Sequence, residues 1–400
     1  MENKESMHWD FMAMMEAIKP YKVFLPKFYQ EIRYEGALRG YYIEETKTFN
    51  VVVGKLADRR SDAEILGMSY RKEIPYKKRE QMKIQIIWDE NTPVITIKDH
   101  PDAEVVVEYY SLQKEVFSRN QGILESEKMK EKQAIVVGVG SGGFFVGLEL
   151  VKAGIGSLIV ADNDCFAYHN ICRHVCGIHD VGKYKVDCFR ERAADINPEC
   201  RVYTFRELLQ HVDPKILDAL VWKNSIILCC TDNRHAGYVC NELADNYHIP
   251  MIGAGCGPRA STGEVFYYKP DCGMPCYTCA YGEDIGVDYS NQAVRREFYA
   301  TESELAKLHF QPGMSLDIEL TAIFETKLAI DLLMEGEEGY KPKLLPYVKQ
   351  CVVLLNYPVD KEVNPYMGLF ENDKEGMRPL AWKTGSVEKN EKCSCCSVKK

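Results

Sequence analysis

No cysteine occurs before Cys165, although the chain of 400 residues holds 16. The first 164 residues therefore carry neither a disulfide framework nor a thiolate metal site, and a chain this long needs no stapling, so reduced thiols and a metal site are expected of the remainder. Positive charge is also in short supply: 50 Lys and Arg against 59 Asp and Glu leave a net charge of −9. That sign is wrong for gripping phosphodiester backbones, and nucleic acid, tRNA included, is not the expected partner. There is no long uninterrupted apolar run. The best stretch, residues 134–161, is broken by Glu149, Lys152 and several glycines, short of the roughly 20 apolar residues a membrane span needs. Met1 to Asp10 holds four charged residues with no apolar run behind them, so no secretory signal is expected and the expected location is cytoplasmic. No internal repeat is visible.

What is present is core-forming material: 46% of residues are hydrophobic, and at roughly 150 residues per domain the length predicts two or three domains. Residues 1–105 read as a small α+β domain. Lys83 to Trp88 and Val94 to Lys98 alternate around the turn-forming run 89–93 and predict a hairpin, with Ile84, Ile86 and Trp88 on one face and a further strand at Phe49 to Val53. From Ala134 onward strands and helices alternate. Strands are predicted at Ala134 to Val137, Leu158 to Ala161, Val202 to Phe205, Ser225 to Cys230 and Met251 to Ala254. Helices are predicted at Phe144 to Lys152, closed by Gly154, at Arg234 to Tyr247, and at Ser315 to Leu333, with Ile323, Ile330 and Leu333 among its apolar positions. The pattern is that of an α/β domain with a doubly wound, Rossmann-like, mostly parallel sheet.

The first of these strands runs into Gly138-Val139-Gly140-Ser141-Gly142-Gly143, a GxGxxG turn opening a helix, where exposed backbone N–H groups favour a bound anion. Gly138, Gly140 and Gly143 are the motif positions. Nineteen residues on, Asp162 ends the next strand, where an acid can accept hydrogen bonds from ribose hydroxyls. The turn and acid fit an adenosine nucleotide without choosing between redox chemistry and nucleotidyl transfer. Asn170, Arg173 and Lys185 follow beyond a strand end. An Arg with a Lys there suits a triphosphate, and Asp232, emerging from a strand within Cys230-Thr231-Asp232-Asn233, suits Mg²⁺.

These segments, in this order, resemble the ThiF/MoeB/HesA family of adenylating enzymes related to ubiquitin-activating enzymes. Phe117-Ser118-Arg119-Asn120-Gln121 is similar to the family's Ser-Arg-Gln segment, with Asn120 inserted. Asn170 to His174 resembles its Asn-Leu-x-Arg-Gln, with His174 in place of Gln. Asp180 to Lys185 resembles its Gly-x-x-Lys segment, and Thr231-Asp232-Asn233 its Thr-Asp-Asn. The resemblance implies that Arg173 and Lys185 contact the ATP phosphates with help from Asn170, that Asp162 holds the ribose, that Asp232 binds Mg²⁺, and that Arg119 acts across a homodimer interface. The bland reading of Arg119 is a solvated helix residue. The resemblance further implies attack on ATP by the C-terminal Gly-Gly carboxylate of a ubiquitin-like or sulfur-carrier protein. It also implies that residues 106–400 form the adenylation domain, with a crossover loop at about 280–313. The chain itself ends Ser397-Val398-Lys399-Lys400, so it is not read as a carrier.

Cys276-Tyr277-Thr278-Cys279 and Cys393-Ser394-Cys395-Cys396 supply two C-x-x-C pairs. Together Cys276, Cys279, Cys393 and Cys396 match a closed tetrahedral Zn²⁺ site, an arrangement the family shares, in which a structural zinc would tie the C-terminal tail to the loop after the sheet. A redox pair or unliganded thiols are the alternatives, with Cys272 and Cys395 as substitute ligands. Residues 280–313 contain no cysteine to receive an acyl group as a thioester, which leaves Cys272 or Cys395, or release of an acyl-adenylate. Two other functions use the same glycine turn, an NAD-dependent oxidoreductase and an inactive nucleotide-binding scaffold. Arg173, Lys185 and Asp232 speak against the oxidoreductase, since a dinucleotide enzyme does not require those residues, and an Asp232→Ala variant with unchanged cellular function would favour the scaffold.

Overall fold

The computed structural model describes residues 19–53, 63–71, 82–90, 92–111, 115–282, 312–371 and 377–396. The chain divides into two compact units, Met1–Ser118 and Arg119–Lys400. Among the described residues no helix is long and apolar enough to cross a membrane.

The first unit is a mixed sheet of β1 (Tyr21–Pro26), β2 (Gly36–Ile43), β3 (Thr48–Val52), β4 (Glu64–Tyr70), β5 (Ile84–Asp89), β6 (Thr92–Ile97) and β7 (Val105–Tyr110), with helix α1 (Lys27–Ile32) after β1. Its order is β6-β5-β4-β2-β3-β1-β7. Period-two patterning selects one face for burial, so Tyr21, Val23 and Leu25 of β1 join Ile84, Ile86 and Trp88 of β5 in one core. The hairpin forms with a tighter connection than its composition suggests. Pro93 pairs with Trp88 inside β6 instead of turning, a position open to proline because β6 is a sheet edge. A boundary between residues 105 and 106 would fall at the start of β7, whose pairing with β1 from Val105 to Tyr110 keeps it in the first unit.

The second unit carries β8 (Gln133–Val137), α2 (Ser141–Lys152), β9 (Ser157–Ala161), α3 (Lys185–Ile196), β10 (Arg201–Phe205), α4 (Pro214–Leu220), β11 (Ser225–Cys229), α5 (Arg234–Tyr247), β12 (Met251–Cys256), β13 (Thr262–Tyr268), α6 (Tyr277–Tyr281), α7 (Ser315–Leu333), β14 (Cys351–Leu355) and β15 (Ala381–Gly385). The sheet order is β10-β9-β8-β11-β12-β13-β14-β15. The five strands β10-β9-β8-β11-β12 pair in parallel, the order 3-2-1-4-5 of a doubly wound fold whose strand order reverses between the paired neighbours β8 and β11, the switch point where such folds place their ligand crevice. Every residue of β8, β9 and β11 is buried, which is why these strands read as unbroken apolar runs. Gly154 ends α2 at φ +92°, the left-handed conformation that glycine adopts without strain. Antiparallel β13, β14 and β15 then extend the sheet beyond β12. Helix α7 buries Phe324, Leu328, Leu332 and Leu333 and packs along α2. Ile323, expected on its apolar side, is 40% exposed.

Candidate active site

The glycine turn is a packing solution before it is a ligand site. Gly138 holds φ +84°, and a Cβ there would stand 2.7 Å from the Thr231 methyl. At Gly143 a Cβ would lie 2.0 Å from the Gly138 carbonyl oxygen and 2.7 Å from the Cys230 Cβ. Only glycine lets α2 start this close to β8 and β11. Gly140 is different: a Cβ there meets nothing within 4 Å, so its side faces open space in front of the turn.

Asp162, at the end of β9, reaches back to this turn. Its carboxylate accepts from the Val139 N–H at 2.8 Å and from the Asp164 N–H at 2.8 Å. Burial raises its pKa, while the Lys185 charge and the two amide donors pull it down. Lys185, the first residue of α3, is buried, and its Nζ sits 2.7 Å from Asp164 Oδ2. Asp164, two residues beyond Asp162, was not singled out from the sequence because its partner lies 21 positions away.

Asn170, third residue of the short 3₁₀ helix Tyr168–Arg173, accepts the Ala167 N–H at 2.9 Å and so caps that helix from within. His174 follows and locks this helix to the turn. Its Nδ1 accepts the Cys176 N–H at 3.1 Å, so Nε2 carries the proton and donates to the Val139 carbonyl at 3.2 Å. A glutamine amide offers the same donor and acceptor, which accounts for His174 standing where the family pattern has Gln. Wedged against Phe144 and Phe166, the imidazole is desolvated and its pKa falls to about 4. Arg173 lies close enough to Cys256, at the end of β12, for its charge to act on that thiol.

On the other side of the switch point, Thr231 and Asn233 are occupied with the backbone. Thr231 Oγ1 accepts the Asn233 N–H at 3.2 Å, and Asn233 Oδ1 caps α5 through the His235 N–H at 3.0 Å. Asp232, between them, is exposed and lines a cavity of about 380 Å³ at the ends of β11 and β12. Sequence reading did not find this cavity, whose walls come from residues 229 to 366.

Arg119 is not part of this constellation within one chain. It is exposed in the 3₁₀ turn Ser118–Asn120, and its neighbour Asn120 donates to the Lys152 carbonyl at 3.1 Å. That contact sits at the C-terminal end of α2, whose twelve residues put about 18 Å between it and the glycine turn. The inserted Asn120 is therefore a helix cap.

The two cysteine pairs meet. Cys276 Sγ is 3.5 Å from Cys393 Sγ and 3.9 Å from Cys279 Sγ, and Cys279 Sγ is 3.6 Å from Cys396 Sγ. All four sulfurs lie within 4.8 Å of one another. A tetrahedral ion with Zn–S bonds of about 2.3 Å requires sulfur separations of about 3.8 Å, so the donor set fits a thiolate-bound zinc. Cys395 is not one of the four, though its thiol lies against Cys276; it donates to Asp245 Oδ2 at 3.3 Å and accepts from Asn241 Nδ2 at 2.9 Å. Cys272 is exposed and outside the cluster. The crossover loop expected at about 280–313 lies largely outside the described residues.

Residues 111–335 match the model of the ThiF family. The chain belongs to the ThiF family. Among curated relatives, the adenylyltransferase and sulfurtransferase uba4 of Aspergillus niger is 27% identical over 180 residues, covering 44% of this chain and 37% of that protein. The molybdopterin-synthase adenylyltransferase of Escherichia coli is 28% identical over 156 residues, covering 38% of this chain and 60% of that protein. The chain thus spans less than two thirds of the length of either relative. Among solved structures, E. coli MccB with ATP aligns at 18% identity and a TM-score of 0.49, over 71% of this chain and 75% of that one. PaaA aligns at 21% identity and a TM-score of 0.47, over 66% and 75%.

Proposed function

We propose that this ThiF-family chain is an adenylyltransferase that activates the C-terminal carboxylate of a small ubiquitin-like or sulfur-carrier protein with Mg²⁺ and ATP. The observation that carries the reading is the convergence at one sheet switch point of the glycine turn braced by Asp162, the Lys185–Asp164 pair, and exposed Asp232 beside a cavity. The names of the fungal and bacterial relatives, both adenylyltransferases, support it.

In this reading the turn's N–H groups and Lys185 take the phosphates, Asp162 the ribose, and Asp232 the Mg²⁺ near the α-phosphate, with Asn170 shaping the loop that presents Arg173. A carboxylate oxygen attacks the α-phosphorus, the bond to the bridging oxygen breaks, and pyrophosphate leaves with that electron pair. No general base is needed, since a C-terminal carboxyl with a pKa of about 3.5 is already ionised at neutral pH. The protein's contribution is alignment and charge stabilisation. Because Arg119 is far from its own turn, its part in the reaction would be played in the partner's site of a homodimer.

The test is carrier-dependent exchange of labelled pyrophosphate into ATP, followed by intact mass spectrometry without reductant. Exchange with a carrier-adenylate mass supports the reading; a thiol-sensitive protein–carrier adduct would add a thioester step, for which exposed Cys272 is the first residue to substitute. Nicotinamide-dependent hydride transfer in place of exchange would overturn it.

The four-thiolate cluster is proposed to hold a structural zinc. Purified protein should carry about one zinc per chain by elemental mass spectrometry, and Cys393→Ser should lose most of it while lowering the thermal midpoint. Full zinc content in that variant would remove Cys393 from the ligand set.

A further inference from the structure

Helix α7 lays one face against the part of the sheet that carries the glycine turn. A Cβ at Gly142 would stand 3.7 Å from the Ile318 side chain, and one at Gly263 would stand 2.0 Å from Thr321 Oγ1. Glu325 is one turn further along that face. It is 2% exposed, and Ala322, Phe324 and Leu328 around it on the helix belong to the main core. An ionised carboxylate is costly in such a place, so burial pushes the Glu325 pKa up to about 8 against the pull of a hydrogen bond from Cys230. At neutral pH the acid keeps its proton. No step of the adenylation reading uses it.

What the carboxyl holds is Cys230, whose thiol donates to Glu325 Oε1 at 3.3 Å. The two halves of the site meet at this cysteine. Its N–H donates to the Val137 carbonyl at the end of β8 at 2.9 Å, and a Cβ at Gly143 would strike its own Cβ at 2.7 Å. Thr231 and Asp232 follow it directly. Glu325 thus reaches both the glycine turn and the Asp232 loop through one side chain. From β11, Cys229 and Cys230 act on the carboxyl, and from β12 the Cys256 thiol feels it together with Arg173 of the 3₁₀ helix and Asp317 of α7. Burial holds the Cys230 thiol well above its ordinary range and pushes Cys256 up to about 11. On the sheet face that α7 covers, β13 brings Tyr267, whose hydroxyl burial also pushes up. The charged residues of α2, Glu149 and Lys152, pair with each other at its far end.

We propose that Glu325 is a positioning residue that serves this site only as the neutral acid: protonated, it anchors Cys230 and so fixes the glycine turn against Asp232, and ionised, it sets a negative charge behind the turn that opposes the phosphates of a bound nucleotide. The proposal rests on the adenylation reading and adds a regulation of that site, its inhibition by alkali. Two unit charges roughly 9 Å apart at an effective dielectric constant of about 20 shift an equilibrium on the order of tenfold.

The experiment titrates the full-length chain with MgATP by calorimetry between about pH 6.5 and 9.5. Binding should be level up to roughly pH 7.5 and then weaken on the order of tenfold. Glu325→Gln keeps a neutral acceptor for the Cys230 thiol, so it should match the unaltered chain at pH 7 and stay within about twofold across the range. Glu325→Ala should bind more weakly at every pH, without the alkaline loss, because it gives up the anchor along with the charge. Cys229 and Cys230 keep their thiols in both variants, so an alkaline loss that persists in Glu325→Gln would belong to another group and overturn the proposal. Equal weakness of the two variants at pH 7 would overturn it as well. Cys230→Ala serves if Glu325 cannot be replaced: without the donor that draws the carboxyl's pKa down, the loss should begin at higher pH, and an unmoved onset would overturn the proposal. Level binding by the unaltered chain would overturn the proposal while leaving the adenylation reading standing, and absence of MgATP binding at every pH would overturn both.

Discussion

Asp232→Ala is expected to slow carrier-dependent pyrophosphate exchange by on the order of 10²- to 10³-fold, the usual cost of removing one preorganised group from a charge-stabilising site. The thermal midpoint should stay close to that of the unaltered chain. The reason lies in the division of labour within Thr231-Asp232-Asn233, where Thr231 and Asn233 hold the turn and cap α5. Asp232 is exposed. Asn233→Ala makes the opposite control, costing about 1 kcal/mol of stability through the lost cap with a smaller effect on exchange. Retention of exchange within about threefold in Asp232→Ala would take that carboxylate out of the reaction.

Acid should loosen the glycine turn through His174. Its pKa is 6.5 as an unperturbed side chain and about 4 in the folded chain, so between these values the unfolded chain binds a proton that the folded chain refuses. Stability from the neutral imidazole is complete above pH 6.5, declines as pH falls through that window, and is exhausted below about 4. At 1.36 kcal/mol per unit, the shift amounts to about 3 kcal/mol. Urea unfolding at pH 7.5 and pH 4.5 should therefore show a larger acid loss in the unaltered chain than in His174→Gln, by about 2 to 3 kcal/mol. The glutamine keeps a donor for the Val139 carbonyl and an acceptor for the Cys176 N–H but has no proton to gain. Equal losses in the two proteins would show that the ring is solvated enough to titrate normally.

The parallel half of the sheet was legible because its signals are local. Buried strands such as β8 and β11 are contiguous apolar runs, α5 begins after its Asn233 cap, and α2 ends before Gly154. The order of motifs along the chain was enough to read the family. Strands β13 to β15 were not legible, since their partners are set by antiparallel pairing with β12 and with one another. The cavity was hidden for the same reason: Arg234, Glu264 and Tyr366 are far apart in sequence and meet only after that pairing. Two residues marked as departures from the family pattern turned out to have structural explanations, Asn120 as the cap on α2 and His174 as the brace on the turn. Pro93 looked like a turn former and became a strand residue because an edge strand can spare an N–H.

The four-thiolate cluster also imposes an order of events during synthesis. Cys276 and Cys393 are 117 positions apart, and at about 5 to 20 residues per second a ribosome needs roughly 6 to 23 s to make what lies between them. For that interval Cys276 and Cys279 form half a site, with two thiols and no partners. The parallel strands, all upstream, can pair meanwhile, so the glycine turn can form before the two cysteine pairs meet. With zinc in the proposed site, a shortage of metal would be felt first in the tail and the segment it meets, both downstream of the glycine turn.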